Sequence, residues 1–297
     1  METYSRRQFM KLSGIAIAAS QINFLPDFNA TVIENGYQGR ALAALPVYAA
    51  PRSGAAILTT LWPDSVITIS AVEDNWYQAA QGYVQRERVQ PMTPYLPQTS
   101  VQIPESAFWA EVSGAIAPIR QSCAADAALV TRIGHGGVAQ IVDYLPGEPN
   151  GWYGVGDEHS NLIGWSQAIY WRPTDHTIEE TGDNHLEINL ATQHLSAREN
   201  GDIILQAPCS IGRSVNPGSY TVEDRKPGGK SAYVENIPDA IHGVPWNINF
   251  GDGHNLTGAY WHNRFGRWTT GPSIQVTPLL AHWLYGWLHS ASRIVAI

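Results

Sequence analysis

Cysteine and charged residues are both scarce in this sequence. Its 297 residues include only two cysteines, Cys123 and Cys209, so no framework of disulfide bridges can hold the fold. We interpret both as small, half-buried apolar residues, with a single bridge between them as the alternative. Charged residues make up 15% of the chain, against about a quarter in ordinary globular proteins, whereas Gly, Pro and Trp are plentiful. This balance favours a turn-rich, mainly β protein over a helical one.

Long apolar runs and an excess of positive charge are also missing. No stretch reaches the roughly 20 apolar residues that a membrane-spanning helix needs. The net charge is -8 and no basic stripe is visible, which argues against a nucleic-acid partner. We expect no cofactor and no metal. His242, His254 and His262 could be considered as metal ligands, but their spacings of twelve and eight residues fit no compact ligand motif.

The first residues carry a motif typical of protein export. The stretch YSRRQFMKLSGIAIAAS (4–20) has a pair of arginines, Arg6 and Arg7, then Phe9 and Lys11 and a short, weakly apolar run. It resembles a twin-arginine export signal, in which the arginine pair is an address read by a receptor. We therefore predict an export segment over residues 1–30 and a location in the periplasm, the cell envelope or the medium. Cleavage and tethering by this segment both remain open, and a chance basic start is the alternative.

A repeated pattern of short strands follows. NWYQAAQGYVQRERVQP (75–91) is echoed by GWYGVGDEHSNLIGWSQAIYWRP (151–173), and both stretches end in a strand that closes at proline. The pattern predicts two copies of one small β module, residues 37–92 and 108–174, joined by a Pro-rich linker over 93–107. Both copies resemble the SH3-like modules of bacterial exported proteins. The resemblance implies small barrels that bind cell-wall or peptide ligands; a spacer that packs on its neighbour is the alternative.

Residues 178–295 show a third pattern. Strand-like segments flank Asn200-Gly201, a strong hairpin signal, and a helical period begins after Thr277-Pro278. The stretches that define this segment come in a fixed order, namely INLATQHLSARENGDIILQAPCSIGR, PGSYTV, VPWNINF, GAYWHNRFGR and TPLLAHWLYGWL. In this order they resemble the catalytic domain of the L,D-transpeptidases, the YkuD-like family. The resemblance implies a β-rich domain whose Cys thiolate attacks the third-residue carbonyl of a peptidoglycan stem tetrapeptide, releases D-Ala and passes the acyl group to an amine.

The chain departs from the family at the catalytic positions. The family signature has a His about sixteen residues before Ser/Thr-His-Gly-Cys-x-Asn. Position by position, the chain has Thr257 for that first His, Thr270 for the Ser/Thr, Gly271 for the second His, Pro272 for the Gly, Ser273 for the nucleophilic Cys and Gln275 for the Asn.

These replacements argue against catalysis. A Ser hydroxyl needs a positioned base, which Thr257 cannot be, and Pro272 has no N–H to offer a developing oxyanion. We therefore expect the catalytic positions Ser273 and Thr257 to be inactive.

A binding role fits what is left of the motif. The candidate substrate-binding residues are Tyr260, Trp261, His262, Trp268, Gly271 and Gln275. Aromatic side chains suit stacking on sugars and peptides, although Trp246, Phe250 and their neighbours fit a core role as well. The leading hypothesis is an exported wall protein that binds peptidoglycan, its stem peptides or a wall-associated protein. The alternatives are an active transpeptidase, acyl transferase or hydrolase that uses Ser273, and a structural wall protein without a ligand.

Overall fold

The computed structural model describes residues 37–92, 101–147, 150–178, 182–231, 240–251, 253–270 and 273–297. The predicted export segment, residues 93–100 of the predicted linker, and Gly271 and Pro272 lie outside these ranges. The described residues form three sheets and one α-helix, so the prediction of a mainly β protein is confirmed. None of the described helices is long and apolar enough to cross a membrane.

The first sheet has seven strands. They are β1 (Tyr37–Ala41), β2 (Leu45–Tyr48), β3 (Ile57–Leu61), β4 (Val66–Glu73), β5 (Trp76–Ala79), β6 (Gly82–Gln85) and β7 (Val89–Met92). Their order in the sheet is β3-β2-β6-β5-β4-β1-β7, with a short 3-10 helix, Arg86–Arg88, before β7. Along β4, exposed and buried residues alternate as expected for a strand with one face on a core.

The second sheet also has seven strands. They are β8 (Phe108–Val112), β9 (Ile116–Arg120), β10 (Leu129–Gly134), β11 (Val138–Leu145), β12 (Trp152–Gly156), β13 (Leu162–Gln167) and β14 (Trp171–Pro173). Their order is β10-β9-β13-β12-β11-β8-β14, and a 3-10 helix, Ala168–Tyr170, precedes β14. Counted from its own first strand, the second sheet thus repeats the order of the first and the place of its 3-10 helix.

The third sheet has nine strands. They are β15 (Asn184–Asn189), β16 (His194–Glu199), β17 (Asp202–Pro208), β18 (Ser210–Ile211), β19 (Gly218–Ser231), β20 (Ile241–Phe250), β21 (His254–Gly258), β22 (Ser273–Val276) and β23 (Arg293–Ala296). Their order is β17-β16-β15-β23-β19-β20-β21-β22-β18. Strand β23 therefore lies inside the sheet, parallel to β15 and antiparallel to β19.

Local sequence accounts for the turns and ends of this sheet. Asn200 and Gly201 both have positive φ angles, 52° and 91°, as a two-residue hairpin turn requires. The helix α1 (Pro278–Trp287) begins where it was predicted, with the Thr277 hydroxyl accepting a hydrogen bond from the Leu280 amide at 3.3 Å. The buried side chains of α1, Leu280 and Leu284 among them, belong to the core of the third sheet.

A buried arginine joins all three sheets. Arg40 on β1 is 5% exposed. It donates to Gln90 Oε1 at 2.9 Å, to Asp64 Oδ1 at 2.6 Å and to the Tyr260 carbonyl at 2.7 Å. Asp64 also pairs with Arg132 of the second sheet at 2.7 Å. These residues are called the arginine junction below.

The close contact at the junction leaves no room for a side chain at Gly134 of β10. A Cβ there would lie 2.6 Å from Arg40 Nη2 and 2.6 Å from Tyr260 Cδ2. The second and third sheets also share a hydrophobic cluster, because Ile241, Val244 and Tyr260 pack with the core of the second sheet.

Candidate functional site

The residues that resemble the transpeptidase motif lie on two neighbouring parallel strands, β21 and β22. Asn255 pairs with Ser273, and Thr257 pairs with Gln275. Paired residues of parallel strands, and residues two apart on one strand, share a face of the sheet. Ser273, Thr257 and Gln275 are therefore on one polar face, while Leu256 and Ile274 are on the opposite face, within the hydrophobic core. The fold thus brings together three residues predicted from the motif.

The Thr257 hydroxyl is already occupied. The side chain is buried, and its Oγ1 donates to the Pro245 carbonyl at 3.0 Å. This bond holds the hydroxyl against β20, on which the next residue, Trp246, has a positive φ of 57°. An alcohol that donates its proton to a buried carbonyl has no tendency to accept another proton near neutral pH. Thr257 therefore serves here as a structural link between β20 and β21.

Ser273 lies at the start of β22 and is partly exposed. Its carbonyl accepts a hydrogen bond from the Gly212 amide at 2.8 Å, which fixes the backbone. Within the part of the chain that the structure describes, the Ser273 hydroxyl makes no hydrogen bond to a histidine, carboxylate or other side chain. The hydroxyl therefore lacks the partner that a serine nucleophile uses to lose its proton.

His262 is the titratable residue of this site, and both of its ring nitrogens have partners. Nδ1 accepts from the Arg264 backbone amide at 3.1 Å, so the proton of the neutral ring is on Nε2. Nε2 donates to Gln275 Oε1 at 2.7 Å. Burial lowers the pKa of His262 to about 4, against a smaller opposing effect of the Gln275 hydrogen bond. The ring is thus neutral at pH 7, and its lone pair is taken up by a backbone amide.

The predicted aromatic residues divide between core and surface. Tyr260 is buried and its hydroxyl donates to the His242 carbonyl at 2.6 Å, while burial raises the pKa of that hydroxyl. Trp246 and Phe250 are fully buried, as their alternative core role requires. Trp261 is partly buried and packs edge-on against Tyr260. Trp268, by contrast, is 49% exposed and is the described aromatic of this segment that is available to a ligand.

The three histidines that were considered as metal ligands have separate surroundings. His254 is buried between the rings of Tyr220 and Phe250. It lies on the face of β21 opposite to Thr257, as the odd spacing of the two residues predicts. His262 is bonded to Gln275, whereas burial lowers the pKa of the half-buried His242 next to Lys230.

One group of potential metal ligands was missed by sequence reasoning. Ligand atoms of Asp157, Glu158 and His159 lie within 4.8 Å of one another. The Asp157 carboxylate, however, accepts from the backbone amides of His159 at 2.8 Å and Asn161 at 2.9 Å. These bonds stabilise the turn between β12 and β13, and this turn explains why the three side chains lie close together.

The two cysteines are free thiols. Cys209 is fully buried in the hydrophobic core of the third sheet and burial raises the pKa of its thiol, whereas Cys123 is partly exposed. The alternative of a bridge between them is therefore excluded in this structure.

The loop that carries His262 is held by the first sheet, which sequence reasoning also missed. Asn263 donates to the Arg86 carbonyl at 3.0 Å, and Arg267 pairs with Glu87 at 3.2 Å. Both partners belong to the 3-10 helix Arg86–Arg88, and its three consecutive charged residues were the available sequence signal. The arginine junction adds a bond to the Tyr260 carbonyl at 2.7 Å. One wall of the candidate site is thus supplied by the first sheet.

Comparisons with known proteins gave matches to solved structures only. No family model matches the chain, and no curated protein matches it. A Cys-to-Ser mutant of an Enterococcus faecium L,D-transpeptidase is 18% identical over 40% of this chain, with a TM-score of 0.34. An L,D-transpeptidase from Mycobacterium tuberculosis H37Rv is 13% identical over 45%, with a TM-score of 0.35. L,D-transpeptidase 3 of the same species is 15% identical over 46%, with a TM-score of 0.35.

These likenesses are local. The chain spans 50% of the enterococcal protein, 64% of the first mycobacterial protein and 75% of the second.

Proposed function

We propose that this chain is an exported cell-wall protein, related to the L,D-transpeptidases, that binds peptidoglycan without performing acyl transfer. The observation that carries the proposal is the surroundings of Ser273. Its hydroxyl has no described base as a partner, the Thr257 hydroxyl donates to the Pro245 carbonyl, and both nitrogens of His262 are occupied. The position of a nucleophile is retained on β22 without the group that would activate it.

The large contribution that a nucleophile and its base make to kcat supports loss of activity. In a serine protease, removing the serine or the histidine alone costs about 10⁶ in kcat. A cysteine is intrinsically nucleophilic and partly ionised near neutral pH, whereas a serine depends on its base. Replacing both the thiol and its histidine therefore leaves a serine, which depends on a base, without the residue that would accept its proton.

Binding is supported by what remains around Ser273. The partly exposed Ser273, the exposed Trp268 and the loop held by the first sheet offer polar and aromatic groups to a ligand, whereas Thr257 and Gln275 of the polar face are buried. Such a combination suits a peptide or sugar ligand. We include Gly271 among the binding positions because of its place in the sequence motif.

The domain organisation is part of the same proposal. We take residues 37–92 and 108–174 as two SH3-like modules and residues 178–295 as the transpeptidase-like domain. The repeated strand order and the 3-10 helix before the last strand of each copy support this division. The twin-arginine motif at Arg6 and Arg7 supports export to the envelope.

Intact-mass spectrometry after incubation with a stem tetrapeptide donor tests the loss of catalysis. We expect no acyl adduct on the protein and no released D-Ala, because Ser273 has no partner among the described residues that accepts its proton. A Ser273→Ala variant and an active L,D-transpeptidase serve as the negative and positive controls. An adduct of one acyl tripeptide on the wild-type chain that is missing from Ser273→Ala would establish the alternative of a serine acyl transferase.

Co-sedimentation with purified sacculi tests the binding role. We expect the wild-type chain to pellet with sacculi and to be displaced by soluble muropeptides. A chain that stays in the supernatant would favour the structural role without a ligand.

A further inference from the structure

Two histidines and a carboxylate meet where the second sheet packs against the third. Glu111 on β8 is 8% exposed, and His135, which follows β10, is 7% exposed. His282 on α1 is partly buried, and both histidines lie close enough to Glu111 to act on the charge of its carboxyl group. Together with Arg172 on β14, these residues are called the interface cluster below. The interface cluster is separate from the candidate site on β21 and β22.

Arg172 stabilises the buried charge of Glu111. Its Nη2 donates to Glu111 Oε2 at 3.0 Å. Burial by itself opposes ionisation of this carboxyl group, but the guanidinium of Arg172 and, after it, the two histidines hold the pKa of Glu111 below its ordinary value. At neutral pH the interface cluster therefore contains a charged carboxylate and a charged guanidinium in contact with each other.

Each histidine of the interface cluster donates one ring N–H to a backbone carbonyl. His135 Nδ1 lies 3.0 Å from the Gly114 carbonyl, and His282 Nε2 lies 3.2 Å from the Asp175 carbonyl. A carbonyl oxygen only accepts, so each of these two nitrogens carries a proton. The His282 ring also stacks on the Trp246 ring, with 3.8 Å between the ring centroids. The fold thus holds both rings in place through contacts that the neutral form already satisfies.

Burial lowers the pKa of both rings. The carboxylate of Glu111 and, for His282, that of Asp175 act in the opposite direction, whereas the guanidinium of Arg172 adds to the lowering. Both rings are therefore neutral in the folded chain at pH 7. A hydrated ring has its ordinary pKa near 6.5, so below this pH protons favour a state in which the rings are exposed to water.

The interface cluster lies against the start of α1. Gly136, the residue after His135, packs so closely on Pro278 that a Cβ there would lie 2.6 Å from Pro278 Cβ. The His135 carbonyl also accepts a hydrogen bond from Gln90 of the first sheet at 2.8 Å. Pro278 follows the last residue of β22, Val276, by two positions. Hydration of the two rings would therefore separate the second sheet from α1 next to the candidate site.

We propose that the interface cluster is a pH-sensitive switch, which keeps α1 packed on the second sheet at neutral pH and releases it in mildly acidic medium. The two histidines belong to different elements, His135 to the second sheet and His282 to α1, and both act on Glu111. When both rings are protonated, three cations share the buried Glu111 carboxylate, which already pairs with Arg172. This inference concerns a contact between sheets and does not depend on any ligand of the candidate site.

Amide hydrogen exchange of the full chain at pH 7.5 and pH 5, corrected for the intrinsic effect of pH on exchange, tests the switch. We expect the amides of α1 to exchange about tenfold faster at pH 5. A double variant, His135→Gln with His282→Gln, should lose this acid response, because glutamine can donate to the same carbonyls but does not titrate. His194→Gln is the matched control, since His194 is an exposed histidine of β16. His262→Gln should also keep the response, which separates the switch from the titration of His262.

The outcomes that would overturn the switch are distinct. A wild-type α1 with equal corrected exchange at the two pH values would overturn it, and so would a double variant with the acid response of the wild-type chain. Loss of the response in His262→Gln alone would assign the effect to the candidate site instead. NMR titration of the wild-type rings provides a test without any variant: both should titrate below pH 6.5, and a His135 or His282 ring that titrates at or above this value would contradict the switch.

Discussion

At the scale of single residues, the positions of two protons determine whether Ser273 has a base beside it. The Thr257 proton is held by the Pro245 carbonyl, and the His262 proton is on Nε2, bonded to Gln275. Neither group is available to take a proton from Ser273. Sequence reasoning found the substituted positions from the motif, but not the tautomer of His262. The tautomer depends on the Arg264 amide, which a folded loop brings to Nδ1.

The lowered pKa of the partly buried His262 predicts a pH dependence of stability. Its pKa in the folded chain is about 4, below its ordinary value near 6.5, so the unfolded chain binds more protons between these values. Stability from this residue is therefore fully present above about pH 6.5 and is lost as the pH falls towards 4. The loss is on the order of 3 kcal/mol of unfolding free energy.

The measurement is chemical unfolding at a series of pH values, with His262→Gln as the comparison. The variant should lose less stability than the wild-type chain between neutral and acidic pH, since glutamine does not titrate. A ring titration of His262 near pH 6.5 by NMR would contradict the assignment.

At the scale of elements, local sequence predicted where strands and the helix occur. It did not predict which strands pair with each other in the sheet. Alternating residues and the Asn200-Gly201 turn define hairpins, and Thr277-Pro278 marks the start of α1. These signals act within a few residues of the chain. The parallel pairing of β15 with β23, which are separated by most of the third sheet in sequence, carries no such signal.

The interior position of β23 predicts a large cost for shortening its side chains. Ile294 is 0% exposed and belongs to the core of the third sheet. Ile294→Ala should lower the free energy of unfolding by about 2–5 kcal/mol, from lost burial and the cavity left behind. Thermal unfolding measures the change. The neighbouring exposed residue supplies the control, as Arg293→Ala should stay within about 0.5 kcal/mol. Equal effects of the two substitutions would contradict an interior β23.

At the scale of the whole molecule, the arginine junction couples the three sheets. Arg40 bonds to β7 through Gln90, to Asp64, and to the third-sheet loop through the Tyr260 carbonyl. Gln90 in turn donates to the His135 carbonyl of the second sheet at 2.8 Å. No local pattern in the sequence marks Arg40 for this role, because all its partners are remote or lie on loops.

Removing the junction arginine should therefore allow the first sheet to unfold separately from the other two sheets. Arg40→Met leaves the Tyr260 carbonyl without its charged donor and Asp64 with Arg132 alone. We expect a loss of about 3–5 kcal/mol and a first sheet that melts separately in differential scanning calorimetry. Arg52→Met, a change at an exposed residue between β2 and β3, should leave the profile unchanged. A single, equally shifted transition for both variants would show that the junction does not couple the sheets.

Strand β23 also has a consequence for the order in which the chain can be completed. A ribosome makes residues 293–296 after every other strand of the third sheet, yet they lie between β15 and β19. Until they arrive, the hairpins on one side and the long β19–β20 pair on the other each present an open edge. Because long-range pairing of this kind is slow, a nascent or truncated chain would spend time as two separate half-sheets. Proteases and chaperones would recognise the exposed strand edges of such chains. Pairing of the short strand β23 removes these edges, so a complete third sheet would no longer be recognised.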